Sequence, residues 1–358
     1  MSNLAAATEA PGSLDPASLA IAHALAPNTL SLILLPTEKC NLRCSYCYET
    51  FEHGRMSDET IQAVKNLIDL RLPKLDYLTL GWFGGEPLVA SDILLDIAGY
   101  ALRRCREEGV QYFGGEITTN AALLTSDLLE KLVAVEQKKF QISLDGWREG
   151  HDRTRRNGAG AGTFDTVWNV LKMLRESPYP DLDVILRIHL MPENRDSIRE
   201  LARNIKAEFG ADPRFGIYLK AIENLGGPQS GAITSLEHAE RGAIVTEMAG
   251  LLSGMRGLPD AKPASDKAPK VCYAAKPNNL IVRANGRIAK CTVAFEDAKN
   301  DIGQLRLDGT LQIDNAKLVH WFRGLHSRDF GILACPVWIR PYEANSAKRV
   351  IPIAAEVA

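Results

Sequence analysis

The sequence contains no apolar run approaching the roughly eighteen residues of a membrane-crossing helix. It also lacks the basic start and uninterrupted apolar core of a secretory signal. No large excess of charge is present: 42 basic and 44 acidic side chains give a net charge of −2. The densest basic stretch runs only from Arg153 to Arg156, so the electrostatic footprint of a nucleic-acid binder is missing. A disulfide framework is not indicated either, because the seven cysteines are odd in number and three of them crowd into residues 40–47. That pattern fits metal ligation in a reducing compartment. These absences predict a soluble cytoplasmic protein that binds neither nucleic acid nor membrane.

What remains is a chain of 358 residues, 46% of them hydrophobic, enough for one large α/β domain and a smaller appendage. Residues 1–27 read as a flexible leader with one short helix. From Leu30 the chain alternates between β-rich runs and segments of helical period. Strands are predicted at Leu30 to Leu35, Tyr77 to Trp82, Tyr112 to Thr118, Lys139 to Leu144, Asp183 to Leu190 and Phe215 to Ala221. Helices are predicted at Ser57 to Leu70, Ser91 to Glu108, Ser126 to Val135, Thr163 to Glu176 and Asn194 to Phe209, several opened by capping residues. The fold class implied is α/β, a partial (β/α)6 TIM-like barrel over residues 28–225. A helix and linker follow over 226–270, then a small α+β extension and tail over 271–358, in which Asn285-Gly286 between apolar runs signals a hairpin. Chemistry in such barrels sits at the strand C-terminal ends, and the unusual residues cluster there.

Cys40, Cys44 and Cys47 follow the first strand at spacings of four and three. Iron–sulfur cubanes are usually held by four cysteines, so three leave one iron open to an outside ligand. A zinc site completed by Cys272, Cys291 or a histidine, and a redox Cys-x-x-Cys pair, are the alternatives. Arg187 and His189 alternate onto one face of the fifth strand and point either into the barrel or into satisfied core positions.

The cysteine loop, with Tyr46 in its aromatic slot, resembles that of the radical S-adenosylmethionine superfamily, and the resemblance extends from about Ser31 to Leu225. It implies a [4Fe–4S] cluster on Cys40, Cys44 and Cys47 whose open iron chelates S-adenosylmethionine. Reductive cleavage of that cofactor would give a 5′-deoxyadenosyl radical that abstracts hydrogen from substrate. Gly84, Gly85 and Glu86 resemble the family's Gly-Gly-Glu motif, which receives the cofactor's ammonium. Ser143 and Arg155, twelve positions apart, match a serine and an arginine that bind the cofactor in related enzymes, with Arg153 and Arg156 as rivals to Arg155. Thr119-Asn120 stands where relatives carry Thr-Asn-Gly, with Ala121 in the glycine's place. The segment ending at Leu225 resembles one that flanks the adenine.

The extension resembles a degenerate SPASM or twitch domain. Cys272, thirteen residues, Gly286, four residues and Cys291 reproduce the opening half of the pattern, and Ile302 to Leu305 resembles its next step. Around Cys335 the later cysteine positions read Ile332, Pro341 and Asn345. At most one auxiliary cluster, on Cys272, Cys291 and Cys335, is implied, while Cys105 reads as a core cysteine. The SPASM remnant points to an oxidoreductase-type maturase that oxidises or cross-links a ribosomally made peptide. A separate leader-recognition protein and a flavodoxin- or ferredoxin-type electron donor are the expected partners. The sulfatase-maturing branch is disfavoured, since Thr292 stands where those enzymes place an aspartate base. A radical enzyme acting on a small molecule and a non-catalytic iron–sulfur or metal-binding scaffold are the alternatives.

Overall fold

The computed structural model describes residues 15–228, 231, 233–258 and 269–337. The first fourteen residues of the leader, most of the expected linker, and Pro341 and Asn345 lie outside the described residues.

Six strands run parallel in chain order: β1 (Thr29–Leu34), β2 (Tyr77–Trp82), β3 (Tyr112–Thr119), β4 (Lys139–Leu144), β5 (Asp183–Leu190) and β6 (Phe215–Ala221). Helix α1 (Pro16–Ala24) precedes them. Between them lie α2 (Asp58–Arg71), α3 (Ser91–Glu108), α4 (Ser126–Ala134), α5 (Glu149–Thr154), α6 (Phe164–Glu176) and α7 (Arg195–Phe209). This is the open, partial barrel that the alternating pattern predicts. Among the described residues no helix is long and apolar enough to cross a membrane.

Burial alternates along the strands because successive side chains point to opposite faces of a sheet. Leu30, Leu32 and Leu34 of β1 are buried, as are Val184, Leu186 and Ile188 of β5. Each such side chain contributes roughly 1.5–3 kcal/mol when taken fully from water. The opposite face carries Ser143 in register with Arg187, and Arg187 in register with Tyr218, so polar groups share the concave side. Helix starts follow capping chemistry: the Ser57 hydroxyl accepts from Thr60 N and the Thr125 hydroxyl from Leu128 N. Cys105 is buried in α3, as expected of a core cysteine.

After α8 (His238–Leu251) come β7 (Asn279–Val282), β8 (Arg287–Ala289), β9 (Gly303–Leu305) and β10 (Leu311–Ile313), then α9 (Asn315–Ser327) and α10 (Phe330–Ala334). The β7–β8 hairpin turns through Asn285-Gly286, with Gly286 at φ 77°. These strands continue the barrel sheet: β7 pairs parallel with β1, giving the order β10-β9-β8-β7-β1-β2-β3-β4-β5-β6.

Candidate functional site

The loop after β1 brings Cys40, Cys44 and Cys47 to one cavity of about 150 Å³. Its backbone is strapped to the end of α5 and the residues after it: Arg43 N donates to Arg156 O at 2.7 Å and Ser45 N to Thr154 O at 3.0 Å. The Arg43 guanidinium ties the loop to itself through the carbonyls of Cys40 and Leu42. Burial pushes the Cys40 thiol up to about 12 and Cys47 to about 11, and raises Cys44. Such thiols remain protonated until a cation takes the proton's place, which is how metal binding displaces protons.

Gly84 and Gly85 lie flat against the residues leading to Cys40. A Cβ at Gly84 would stand 2.3 Å from Thr37 O, and one at Gly85 2.5 Å from Lys39 O. Glu86 N then donates to Lys39 O at 3.0 Å. The Glu86 carboxylate is 1% exposed. Its Oε1 accepts from Thr119 Oγ1 at 2.7 Å and Leu88 N at 3.0 Å, and its Oε2 from Asn120 N at 2.7 Å. Burial raises its pKa against these bonds. A carboxylate has about four acceptor positions, so these donors leave one for a cation. Asn120 Nδ2 also donates to Asn41 Oδ1 at 2.9 Å, joining β3 to the cysteine loop. Ala121 sits at φ 62°, a left-handed conformation in which glycine carries no steric cost.

Ser143 and Arg155 line the same cavity. The segment from Glu149 to Thr154 is helical, and this single turn and a half buries Arg155 while leaving Arg153 and Arg156 exposed. Arg155 Nη1 donates to Tyr46 Oη at 2.7 Å and lies 3.8 Å from Asp145 Oδ1. Tyr46 Oη donates to Asp145 Oδ1 at 3.0 Å. The same oxygen is 2.9 Å from His189 Nδ1, and Thr154 Oγ1 donates to Asp145 Oδ2 at 2.6 Å. Burial alone would raise the Asp145 pKa, but the Arg155 charge and the His189 hydrogen bond hold it well below the usual carboxylate range. Burial pushes His189 down to about 4. Arg155 Nε has no partner among the described residues, so a guanidinium on the cavity wall keeps an unused buried donor. An anionic group fits there.

The far wall of the cavity comes from β5, β6 and the segment after β6, with Arg187, His189, Lys220, Glu223 and Leu225. Lys220 Nζ and Glu223 Oε2 pair at 2.7 Å. Both open positions of the fifth strand thus face the barrel interior. Glu49, also lining the cavity, is buried, and its Oε1 has no hydrogen-bond partner among the described residues. Burial, then Glu38, pushes its carboxyl up to about 7. Sequence reasoning missed Glu49 and the roles of Asp145 and Thr154. The only signal for Glu49 was its place two residues beyond Cys47.

Cys272, Cys291 and Cys335 line no part of this cavity. The zinc alternative that draws its fourth ligand from Cys272 or Cys291 is therefore not assembled beside the loop cysteines. Cys272 N donates to Leu333 O at 2.7 Å, which brings the segment before β7 to α10. Burial raises the Cys272 thiol and pushes Cys291 up to about 11, with the other extension cysteines adding to both. Beside them Lys290 is fully buried, its ammonium donating to Lys276 O at 2.6 Å and to Asn279 O. Thr292 Oγ1 lies 2.8 Å from Tyr273 Oη, and Thr292 O accepts from Tyr48 Oη at 3.0 Å.

The structure thus joins an open α/β barrel, three cysteines after its first strand, and a cavity walled by the buried Glu86 and Arg155. Residues 34–205 match the model of the radical SAM superfamily, and the chain carries a radical SAM domain. The family implies a [4Fe–4S] cluster and S-adenosylmethionine. Mycofactocin maturase MftC of Mycolicibacterium smegmatis is 29% identical over 180 residues, covering 50% of this chain and 42% of that protein. The chain spans less than half the length of the curated relatives it matches. Among solved structures, native anSMEcpe with bound AdoMet and Cp18Cys peptide superposes with a TM-score of 0.60 at 16% identity, over 89% of this chain and 86% of that one. Streptococcus suis SuiB bound to precursor peptide SuiA gives 0.51 at 17% identity, over 85% and 67%. At those identities the likeness is one of fold.

Proposed function

We propose that the chain is a radical S-adenosylmethionine enzyme that oxidises or cross-links a residue of a ribosomally made peptide. The observation that carries the reading is the meeting, in one cavity, of the loop cysteines, a Glu86 carboxylate with one acceptor position left, and an Arg155 guanidinium whose Nε has no partner among the described residues. Cys40, Cys44 and Cys47 would hold the [4Fe–4S] cluster. Glu86 would take the ammonium of S-adenosylmethionine, Arg155 and Ser143 its carboxylate, and Gly84, Gly85, Tyr46 and Leu225 would flank it. When bound, cluster and cofactor together supply the means to remove a hydrogen atom from an unactivated carbon. Asp145, His189 and Thr154 hold Tyr46 and Arg155 in place, while the loop strapping at Arg43 and Ser45 fixes the cysteines.

The peptide class is favoured by the sequence match to a mycofactocin maturase and by a fold shared with enzymes solved with a peptide. On this reading residues 28–225 are the catalytic barrel and 271–358 a degenerate SPASM or twitch extension. That extension would carry at most one auxiliary cluster on Cys272, Cys291 and Cys335. A leader-recognition protein and a flavodoxin- or ferredoxin-type donor would complete the system in the reducing cytoplasm.

Anaerobic reconstitution followed by dithionite and S-adenosylmethionine tests the enzyme reading: 5′-deoxyadenosine should form, and the Cys40, Cys44, Cys47 triple alanine variant should make none. No product from the parent would leave a scaffold. Mass spectrometry of precursor peptides encoded beside the gene tests the substrate class, since a peptide enzyme changes their mass and a small-molecule enzyme does not.

A further inference from the structure

Glu49 lines the same cavity as Glu86, Arg155 and the loop cysteines, and the charges of Glu38 and Arg283 act on it. Arg283 gives Glu49 no partner, because its Nε and Nη2 donate to the two oxygens of Glu38 at 3.0 and 2.7 Å and its plane lies over Phe295. Nor do the cations of the far wall form an ion pair with Glu49: Lys220 is paired with Glu223, and Arg187, its own Nε without a partner among the described residues, stands over the Tyr218 ring. Glu49 is left 8% exposed, next to a second carboxylate, with Oε1 unpartnered and its side chain on the cavity wall. A buried, ionised carboxylate oxygen with no donor is costly until a proton or a cation neutralises it. The segment after β6 crosses here, with Gly227 pressed on the Tyr48 backbone so that a Cβ would stand 2.5 Å from Tyr48 O. Beside Glu49, therefore, the cysteine loop meets the segment after β6 and the extension.

We propose that Glu49 is a substrate-recognition residue whose carboxylate receives a primary ammonium or guanidinium of the molecule being modified. The inference rests on the peptide reading above and narrows it to peptides with a lysine or arginine next to the reacting residue. It excludes cores that present only neutral or acidic neighbours.

The test uses reconstituted protein loaded with S-adenosylmethionine, and reads equilibrium binding rather than turnover. The peptide probes are Ac-Ala-Ala-X-Ala-Ala-amide with X as Lys, Gln or Glu, and the small probes are n-butylamine and n-butanol. The Lys peptide should bind about tenfold more tightly than the Gln peptide, as expected of a charge-assisted contact. Glu49→Gln should remove that preference. The exchange keeps the side chain's shape and deletes an uncompensated charge, so folding is not at risk, and thermal melting verifies it. A preference for the amine over the alcohol that depends on Glu49, without any peptide binding, would uphold Glu49 and sink the peptide reading. Peptide binding without a Lys preference, or a preference surviving Glu49→Gln, would overturn the assignment of Glu49 alone. Loss of S-adenosylmethionine affinity in Glu49→Gln by the same tenfold would make Glu49 a cofactor residue and also overturn it.

Discussion

Arg155 Nη1 and the Tyr46 hydroxyl meet at 2.7 Å, which joins the third cysteine's neighbour to the turn after α5. Tyr46 is thereby a hydrogen-bonding residue as well as an aromatic wall. Replacing it with Phe should leave iron content unchanged and weaken S-adenosylmethionine binding by about 1.5–3 kcal/mol, the range for a hydrogen bond to a charged group. Arg155→Met should cost more, about 2–4 kcal/mol, because it strands the cofactor's carboxylate. Calorimetry on both variants checks the order, and equal affinities would separate Tyr46 from the guanidinium.

Gly85 touches the carbonyl that precedes Cys40. Gly85→Ala should push Lys39 away, since its Cβ would stand only 2.5 Å from that oxygen. The expected cost is about 1–3 kcal/mol of stability. The consequence for the site is specific: iron retained after desalting and S-adenosylmethionine affinity should fall together. Gly54→Ala, with nothing within 4 Å of its Cβ, serves as the control.

His151 and His189 give the domain an acid sensitivity. Burial pushes both imidazoles down to about 4, from 6.5 in the unfolded chain. As pH falls from about 6.5 to about 4 the unfolded chain takes up protons that the folded chain refuses, so this contribution to stability is present above the window and lost through it. Each histidine accounts for a few kcal/mol at most. Urea midpoints at pH 7 and pH 5 should converge in His151→Gln relative to the parent, and an unchanged gap would remove His151 from the account.

The extension cysteines are tested by iron count. Reconstituted protein should hold about four irons per chain without an auxiliary cluster, or about eight with one. A double alanine replacement of Cys272 and Cys291 should lower the count by about four only in the second case. A parent value near twelve would contradict the degenerate-SPASM reading.

Most of the barrel was legible because its signals are local. The strand from Asp183 to Leu190 and the helix from Ser91 to Glu108 have the predicted bounds, since β-rich content and helical period are properties of short windows. Helix α5 was not legible: it is six residues long, and Arg148 before it has φ 40° and makes no cap. That turn singles out Arg155 from Arg153 and Arg156, which residue type alone leaves equivalent. The Tyr46–Asp145–His189 contact and the isolation of Glu49 join residues from different loops, and no window of sequence contains them. Cys40, Cys44 and Cys47 were legible because a single loop carries all three.

The parallel pairing of β7 with β1 has a consequence for how the gene can be cut. Without β7, β1 would be a barrel edge, with Ser31 and Leu35 losing the partners at Asn278 and Val282 to which their amides donate. Exposed edges of buried, leucine-rich strands invite pairing with other chains. A fragment ending before residue 278 would therefore keep every barrel residue of the site and still tend to self-associate, so a shortened expression clone is better ended after β10.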